Sequence, residues 1–252
     1  MKSSNLWVFV CDIHYPEYDK PAKRALFDFL GQVEIGGFIF GGDQHNNDCI
    51  SHHTKNKPLY RMRRAFKDET DGFEKDFLTP LEKMLAKSTR KVWINGNHER
   101  FAADVVEEMP ELDGQLDRVE LYRLKQRGWN VVELGHSYRH KKVHFLHGEW
   151  LKGGQYPSKK LVEILACNAV AGHTHAPQSY TRISPVSQSE KWMGWISPIL
   201  GKLNPEYVRN SPTAWVNGFT LVEFHPNGNF NCYPVVVSNG QFAWGGNVYG
   251  KH

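Results

Sequence analysis

Side chains able to hold metal ions recur in this chain in five short blocks. They are Asp12-Ile-His14, Gly42-Asp43 with Asn46 close behind, Gly96-Asn97-His98-Glu99, His147-Gly148, and Gly172-His173-Thr174-His175. Two aspartates, an asparagine and several histidines make an oxygen-and-nitrogen donor set, suited to Mn²⁺, Zn²⁺ or Fe and poor for Ca²⁺. In the Asp-x-His and His-x-His pairs, residues two apart on extended chain share a face and can aim at one point. The glycines let the backbone turn sharply and approach a metal or a phosphate closely. So many donors exceed the needs of one tetrahedral cation. They imply two divalent ions roughly 3.5–4 Å apart, an arrangement that clamps an in-line displacement.

Each block follows a short apolar run that reads as a strand: 6–11, 37–40, 91–94, 143–146 and 168–171. In open α/β sheets, ligands bind beyond the carboxyl ends of the strands, so five such ends predict one convergent site. Helical spacing predicts helices over 21–32, 69–86, 101–109 and 116–126, with Pro80 kinking or splitting the second. Ser158 is expected to cap a helix running to 167. Apolar runs at 219–224 and 230–237 flank His225-Pro-Asn-Gly-Asn, a hairpin turn. An α/β front half thus leads into a β-rich tail. The reading is a single domain over 1–252 of two packed sheets flanked by helices, with the β-rich part 178–252 joining the second sheet.

At 252 residues with 40% hydrophobic and 23% charged side chains, the chain is an ordinary globular one, which excludes wholesale disorder, collagen-like repeats and a coiled-coil rod. Its longest apolar run is too short for a bilayer span or an export signal. The four cysteines are scattered without a CxxC pair, which predicts reduced thiols and a cytoplasmic setting. A net charge of +4 is compatible with an anionic partner and no more.

The order Asp-x-His, Gly-Asp-x-x-Asn, Gly-Asn-His-Glu, His-Gly, Gly-His-x-His resembles the calcineurin-like metallophosphoesterases, over residues 12 to 175. The resemblance implies a four-layer αββα sandwich. Asp12, His14 and His175 would hold one metal, Asn97, His147 and His173 the other, and Asp43 would bridge them. His98 would be the non-ligand histidine that protonates the leaving oxygen or steadies the phosphate. A catalytic role is therefore expected of His98 and Asp43. Glu99 is expected to orient His98 or a nearby backbone amide, and Asn46 to hold a neighbouring ligand by hydrogen bonding. The expected cofactors are two divalent ions, Mn²⁺ first, with Zn²⁺, Fe or Ni²⁺ as alternatives. In phosphoprotein phosphatases the second motif runs Gly-Asp-x-x-Asp-Arg-Gly; here Asn46 stands for that Asp and the Arg-Gly is missing, which disfavours a Ser/Thr protein phosphatase. Stretches 147–160 and 215–224 are similar to small phosphoesterases often encoded by bacteriophages.

The expected substrate is a phosphodiester in nucleic acid or a nucleotide. Its rivals are a small phosphomonoester and, from another class, a metal-holding binding module without turnover. Lys55, Lys57, Arg61, Arg63, Arg64 and Lys67, interleaved with Tyr60 and Phe66, form a basic stretch close behind Asp43. It either overhangs the site and grips a polyanion such as DNA, with Arg61, Arg63 and Arg64 as contacts, or is a solvated helix face. His45, His52 and His53 read as solvent-facing loop residues, and Trp192, Trp195 and Trp215 as packing beneath a loop rather than a rim for a base.

Overall fold

The computed structural model describes residues 5–62, 65–152, 154, 156–187, 190–208 and 211–250. Its strands are β1 (Leu6–Val10), β2 (Gly37–Gly41), β3 (Arg90–Ile94), β4 (Trp129–Val132), β5 (Tyr138–His140), β6 (Val143–Leu146), β7 (Asn168–Ala171), β8 (Gln178–Ile183), β9 (Lys191–Ile196), β10 (Gly218–Phe224), β11 (Phe230–Val236), β12 (Phe242–Trp244) and β13 (Asn247–Tyr249). The helices are α1 (Lys20–Gln32), α2 (Pro58–Met62), α3 (Phe66–Phe73), α4 (Thr79–Met84), α5 (Asn97–Glu108), α6 (Arg118–Leu121) and α7 (Pro157–Leu165).

Two mixed sheets result. One has the order β11-β10-β1-β2-β3-β4, with β1 to β4 parallel; the other has the order β5-β6-β7-β9-β8, with β6, β7 and β9 parallel. The central strands, β1 and β2 above all, are buried on both faces, which is why they read as unbroken apolar runs, whereas the edge strands β8 and β11 alternate with exposed residues. Their alternation still sorts the side chains. Trp7, Phe9, Ile39, Val92, Ile94, Val222 and Phe224 of the first sheet meet Val143, Phe145, Val170 and Trp195 of the second. The alternate residues Val8, Val10, Phe38, Phe40, Trp93, Phe219 and Leu221 turn the other way, onto Leu26 and Phe29 of α1 and Phe73 of α3. On the far side, Leu146, Ala169, Ala171 and Ile196 pack on Leu161 of α7. The layers are helix, sheet, sheet, helix, as the sequence resemblance implied. Phe9 is fully buried between the sheets, 5.9 Å from Phe145, and truncating it to Ala would cost about 3–5 kcal/mol.

Several boundaries differ from the sequence expectations, for physical reasons. The stretch 178–252 divides: β8 and β9 join the second sheet, but β10 and β11 pair antiparallel onto β1 in the first. A β12–β13 hairpin then covers α1, its Phe242 and Tyr249 rings 5.7 and 5.1 Å from Phe29. The helix expected over 69–86 is split by a π-turn over Glu74–Leu78, just before Pro80, which has no N–H to continue the ladder. The fourth expected helix shrinks to α6. The capped helix starts at Pro157, and Ser158 Oγ bonds Gln178 instead. Among the described residues, no helix is long and apolar enough to cross a membrane.

Candidate metal centre

Parallel pairing brings the carboxyl ends of β1, β2 and β3 to one edge of the first sheet, and those of β6 and β7 to one edge of the second. The loops beyond are laced together. Asp12 N donates to Gly42 O and His14 N to Asp43 O, both at 3.0 Å. Across the sheets, His173 N donates to Asp12 Oδ2 at 2.9 Å and His147 Nδ1 to Gly41 O at 3.0 Å. The carbonyl can only accept, so His147 Nδ1 carries a proton, and it is Nε2 that faces Asp43 and Asn97.

Three overlapping clusters result among the described residues, Asp12–His14–His175, His14–Asp43–His98 and Asp43–His147–His173, in each of which the potential ligand atoms lie within 4.8 Å of one another. His175 Nε2 is 3.1 Å from Asp12 Oδ1 and 3.3 Å from His14 Nε2. His147 Nε2 is 3.2 Å from Asp43 Oδ2 and 3.0 Å from Asn97 Oδ1. Donors each about 2.1 Å from a shared cation, at angles near 90–110°, stand roughly 3.0–3.4 Å apart. These four spacings fit that figure, and the donor types suit Mn²⁺ or Zn²⁺. All seven sequence-nominated ligands are thus brought together.

The backbone is bent to do it. Asp12, His14, Asp43, His173 and His175 all lie in the left-handed region, with φ of 52°, 50°, 53°, 66° and 62°. Asp and His tolerate that region better than most residues, but each such residue still costs on the order of 1–3 kcal/mol and clusters at functional sites. Two glycines make the approach possible. A Cβ on Gly96 would lie 2.2 Å from Asp43 Oδ1, and one on Gly42, itself at φ 97°, would lie 2.3 Å from His147 Nδ1.

Asp43 and Asp12 are fully enclosed, and burial alone would raise their carboxyls. The neighbouring histidines outweigh that, His147 and His98 for Asp43 and His175 for Asp12, so both are held well below the usual range. Burial, reinforced by His98, pushes His14 down to about 3. Burial also opposes charge on His147, but Asp43 and Asp12 prevail and push it up to about 10.

His98, on the first turn of α5, sits beside His14 and Asp43 in the middle cluster, at longer range than the other donors. Its Nδ1 bonds the Asn46 carbonyl at 2.8 Å, its backbone N donates to Asp43 Oδ1 at 2.9 Å, and its Nε2 is 3.9 Å from Asp43 Oδ2. The ring edge meets His14 at 4.7 Å, and its side chain keeps 21% of its surface exposed. Asn46 therefore acts through its backbone, while its side-chain amide donates to Asp48 Oδ2 at 2.6 Å. Glu99 accepts from backbone amides, those of Gly96 at 2.8 Å, Asp43 at 3.0 Å and His45 at 3.2 Å.

His14, Asp43, Asn97, His98, His173 and His175 line a cleft of about 940 Å³ together with Ser51, His53, Lys57, Pro58 and Leu59. Lys57 of the basic stretch is thus on the cleft lining, while Arg61 Nε donates to Cys49 O at 2.8 Å. Arg63 and Arg64 lie outside the described residues. His45 is not a solvent-facing residue; it is fully buried and bonded to Tyr122 OH at 2.8 Å. Trp195 packs between the sheets, whereas Trp215 edges against His175 at 4.4 Å. Sequence reading passed over Asn47, Glu69 and Arg118, which meet behind His98 and carry no local motif.

No family model matches this chain, and no curated protein matches it. Among solved structures it is similar to vacuolar protein sorting 29 (Vps29) from Entamoeba histolytica. A single mutant of that protein is 14% identical, covering 94% of this chain and 96% of that one, with a TM-score of 0.47. The wild type complexed with Zn²⁺ is 12% identical over the same shares, with a TM-score of 0.47. Vps29 from Cryptosporidium parvum is 14% identical, covering 96% of this chain and 94% of that one, with a TM-score of 0.46.

Proposed function

We propose that this protein is a phosphoesterase working through two divalent cations, and that its substrate is a phosphodiester of about nucleotide size. The observation that carries the reading is the pair of clusters, Asp12–His14–His175 and Asp43–His147–His173, joined through contacts of Asp43, His14 and His98 at the floor of one cleft. Asp12, His14 and His175 would hold one cation, His147, His173 and Asn97 the other, with Asp43 between them. When bound, such cations activate water as a nucleophile near neutral pH and neutralise phosphate oxygens.

The remaining work falls to the chain. His98 points its Nε2 into the cleft beside Asp43 with Nδ1 fixed by Asn46, which suits it to donate a proton to the leaving oxygen. Glu99, by collecting three backbone amides, keeps the Asp43 and Gly96 loops in register. Lys57 lines the wall facing the floor and supplies a positive charge toward a phosphate. A cleft of about 940 Å³ is in the range that takes small ligands, and Asp48 and Glu206 on its lining would repel a long polyanion. That, with Arg61 Nε engaged by the Cys49 carbonyl, favours a nucleotide-sized ester over a DNA chain.

The test is turnover of bis-p-nitrophenyl phosphate against p-nitrophenyl phosphate and single-stranded DNA, with Mn²⁺ or Zn²⁺. Faster cleavage of the diester than of the other two is expected. A preference for the monoester would make the protein a phosphomonoesterase, a preference for DNA would restore the nuclease reading, and no turnover with any divalent metal would leave a binding module.

A further inference from the structure

Three buried polar side chains from separate segments meet behind His98: Asn47 after β2, Glu69 on α3 and Arg118 on α6. Arg118 donates through Nη1 to Asn47 Oδ1 and through Nε to Thr70 Oγ1 at 3.2 Å. Its Nη2 stands 3.6 Å from Glu69 Oε1, and the Phe66 ring covers its guanidinium at 4.2 Å. Arg118 is 6% exposed and Glu69 3%. Asn47, at φ 57°, donates its backbone N–H to Glu69 Oε1 at 2.9 Å and its side-chain Nδ2 to the carbonyl oxygen of His98 at 2.7 Å.

A guanidinium has no acceptor, so an Arg118 bond to the Asn47 amide fixes which end is oxygen. The NH₂ end must then face His98. Ion pairs sealed this deeply add little net stability, because desolvation offsets the attraction; what this one fixes is the orientation of the groups bonded to it. Asn47 Nδ2 carries that constraint to the His98 carbonyl on the first turn of α5, whose N–H groups lack intrahelical acceptors. Asn46 holds the ring of His98 and Asn47 holds its carbonyl, so two adjacent residues grip it at both ends.

We propose that Arg118, acting through Asn47, is a positioning residue for His98 that sets the reach of its Nε2 toward the leaving oxygen. The inference rests on the reading of His98 as proton donor. Glycine at 47 accepts the left-handed backbone and keeps the N–H to Glu69, so Asn47→Gly removes the side-chain link alone and leaves the Glu69–Arg118 pair intact. Arg118→Met breaks the link from the other end, and Arg118→Lys tests rescue.

The first readout needs no metal: amide hydrogen exchange across 97–101. About tenfold faster exchange is expected in Asn47→Gly and in Arg118→Met, with no further gain in the double variant. Unchanged exchange in Asn47→Gly, or additive effects, would overturn the proposal. The second readout compares diesters that differ in leaving-group acidity. Cleavage of an alkyl diester should fall about 10–100-fold in both variants while bis-p-nitrophenyl phosphate, whose leaving group needs no proton, changes little, and Arg118→Lys should recover part of the loss. Equal losses on both esters would overturn the proposal in favour of general loosening. If the unmodified protein turns over neither ester, the phosphoesterase reading fails by itself, and the exchange result still decides whether Arg118 holds the His98 segment.

Discussion

His14 Nε2 and His175 Nε2 face each other across 3.3 Å although 161 residues separate them. Two imidazole nitrogens brought so close beside a buried aspartate form a candidate cation site. Binding only to the folded state, Mn²⁺ or Zn²⁺ at a hundredfold excess over its Kd should stabilise the protein by about 2.7 kcal/mol per site, about 5 kcal/mol for two, roughly 10–20 °C in Tm. In His14→Ala or His175→Ala the shift should shrink by about half. A shift equal to that of the unmodified protein would remove these two residues from the metal set.

The His98 ring stands 3.9 Å from Asp43 Oδ2, farther than the 3.0–3.3 Å spacings within the two proposed ligand sets, so its loss should spare the cations. His98→Asn is expected to lower turnover of an alkyl diester, whose leaving oxygen needs a proton, by roughly 10²–10⁴ with metal content unchanged. Full activity in this variant would take His98 out of the reaction; lost metal would make it a ligand.

The basic stretch divides by what each side chain touches. Lys57 lines the cleft, so Lys57→Ala should raise KM several-fold and leave kcat nearly intact. Arg61 bonds Cys49 O, so Arg61→Ala should leave KM unchanged and speed proteolysis of the loop around Cys49. Reversed behaviour of the two in steady-state kinetics would refute this assignment.

Away from the centre, His140 stacks on Trp7 at 4.1 Å and edges against Phe224 at 4.6 Å. Burial, with Arg90 and Lys141 adding to it, pushes its pKa from 6.5 down to about 4. Between those two values the unfolded chain holds a proton that the folded one does not, so stability is full above pH 6.5 and falls as the pH drops toward 4. His140 is partly exposed, which limits the effect to about 1 kcal/mol. His140→Phe keeps the stack and should flatten urea stability over this window. The same pH slope in the variant and the unmodified protein would contradict the assignment.

The strands and the convergence of the candidate ligands were legible in the sequence because strand ends put them there. Asp12 and His147 follow an apolar run directly, Asp43 and His173 follow one across one or two glycines, and parallel pairing turns that pattern into convergence. What escaped depends on contacts distant in the chain. Arg118 meets Asn47 71 residues away, on a helix of four residues with no periodicity to read. His45 looked like a loop residue because its burial comes from Phe73, Trp93 and Tyr122, none of them near it in sequence. The return of β10 to β1 was hidden likewise, since a strand buried on both faces carries no mark of which sheet it joins.

The central claim is most directly tested by elemental analysis of the protein after incubation with Mn²⁺ or Zn²⁺ and removal of the excess. Two equivalents per chain are expected, falling to about one when His14 and His175 are both replaced by alanine. Less than one equivalent in the unmodified protein would contradict the account.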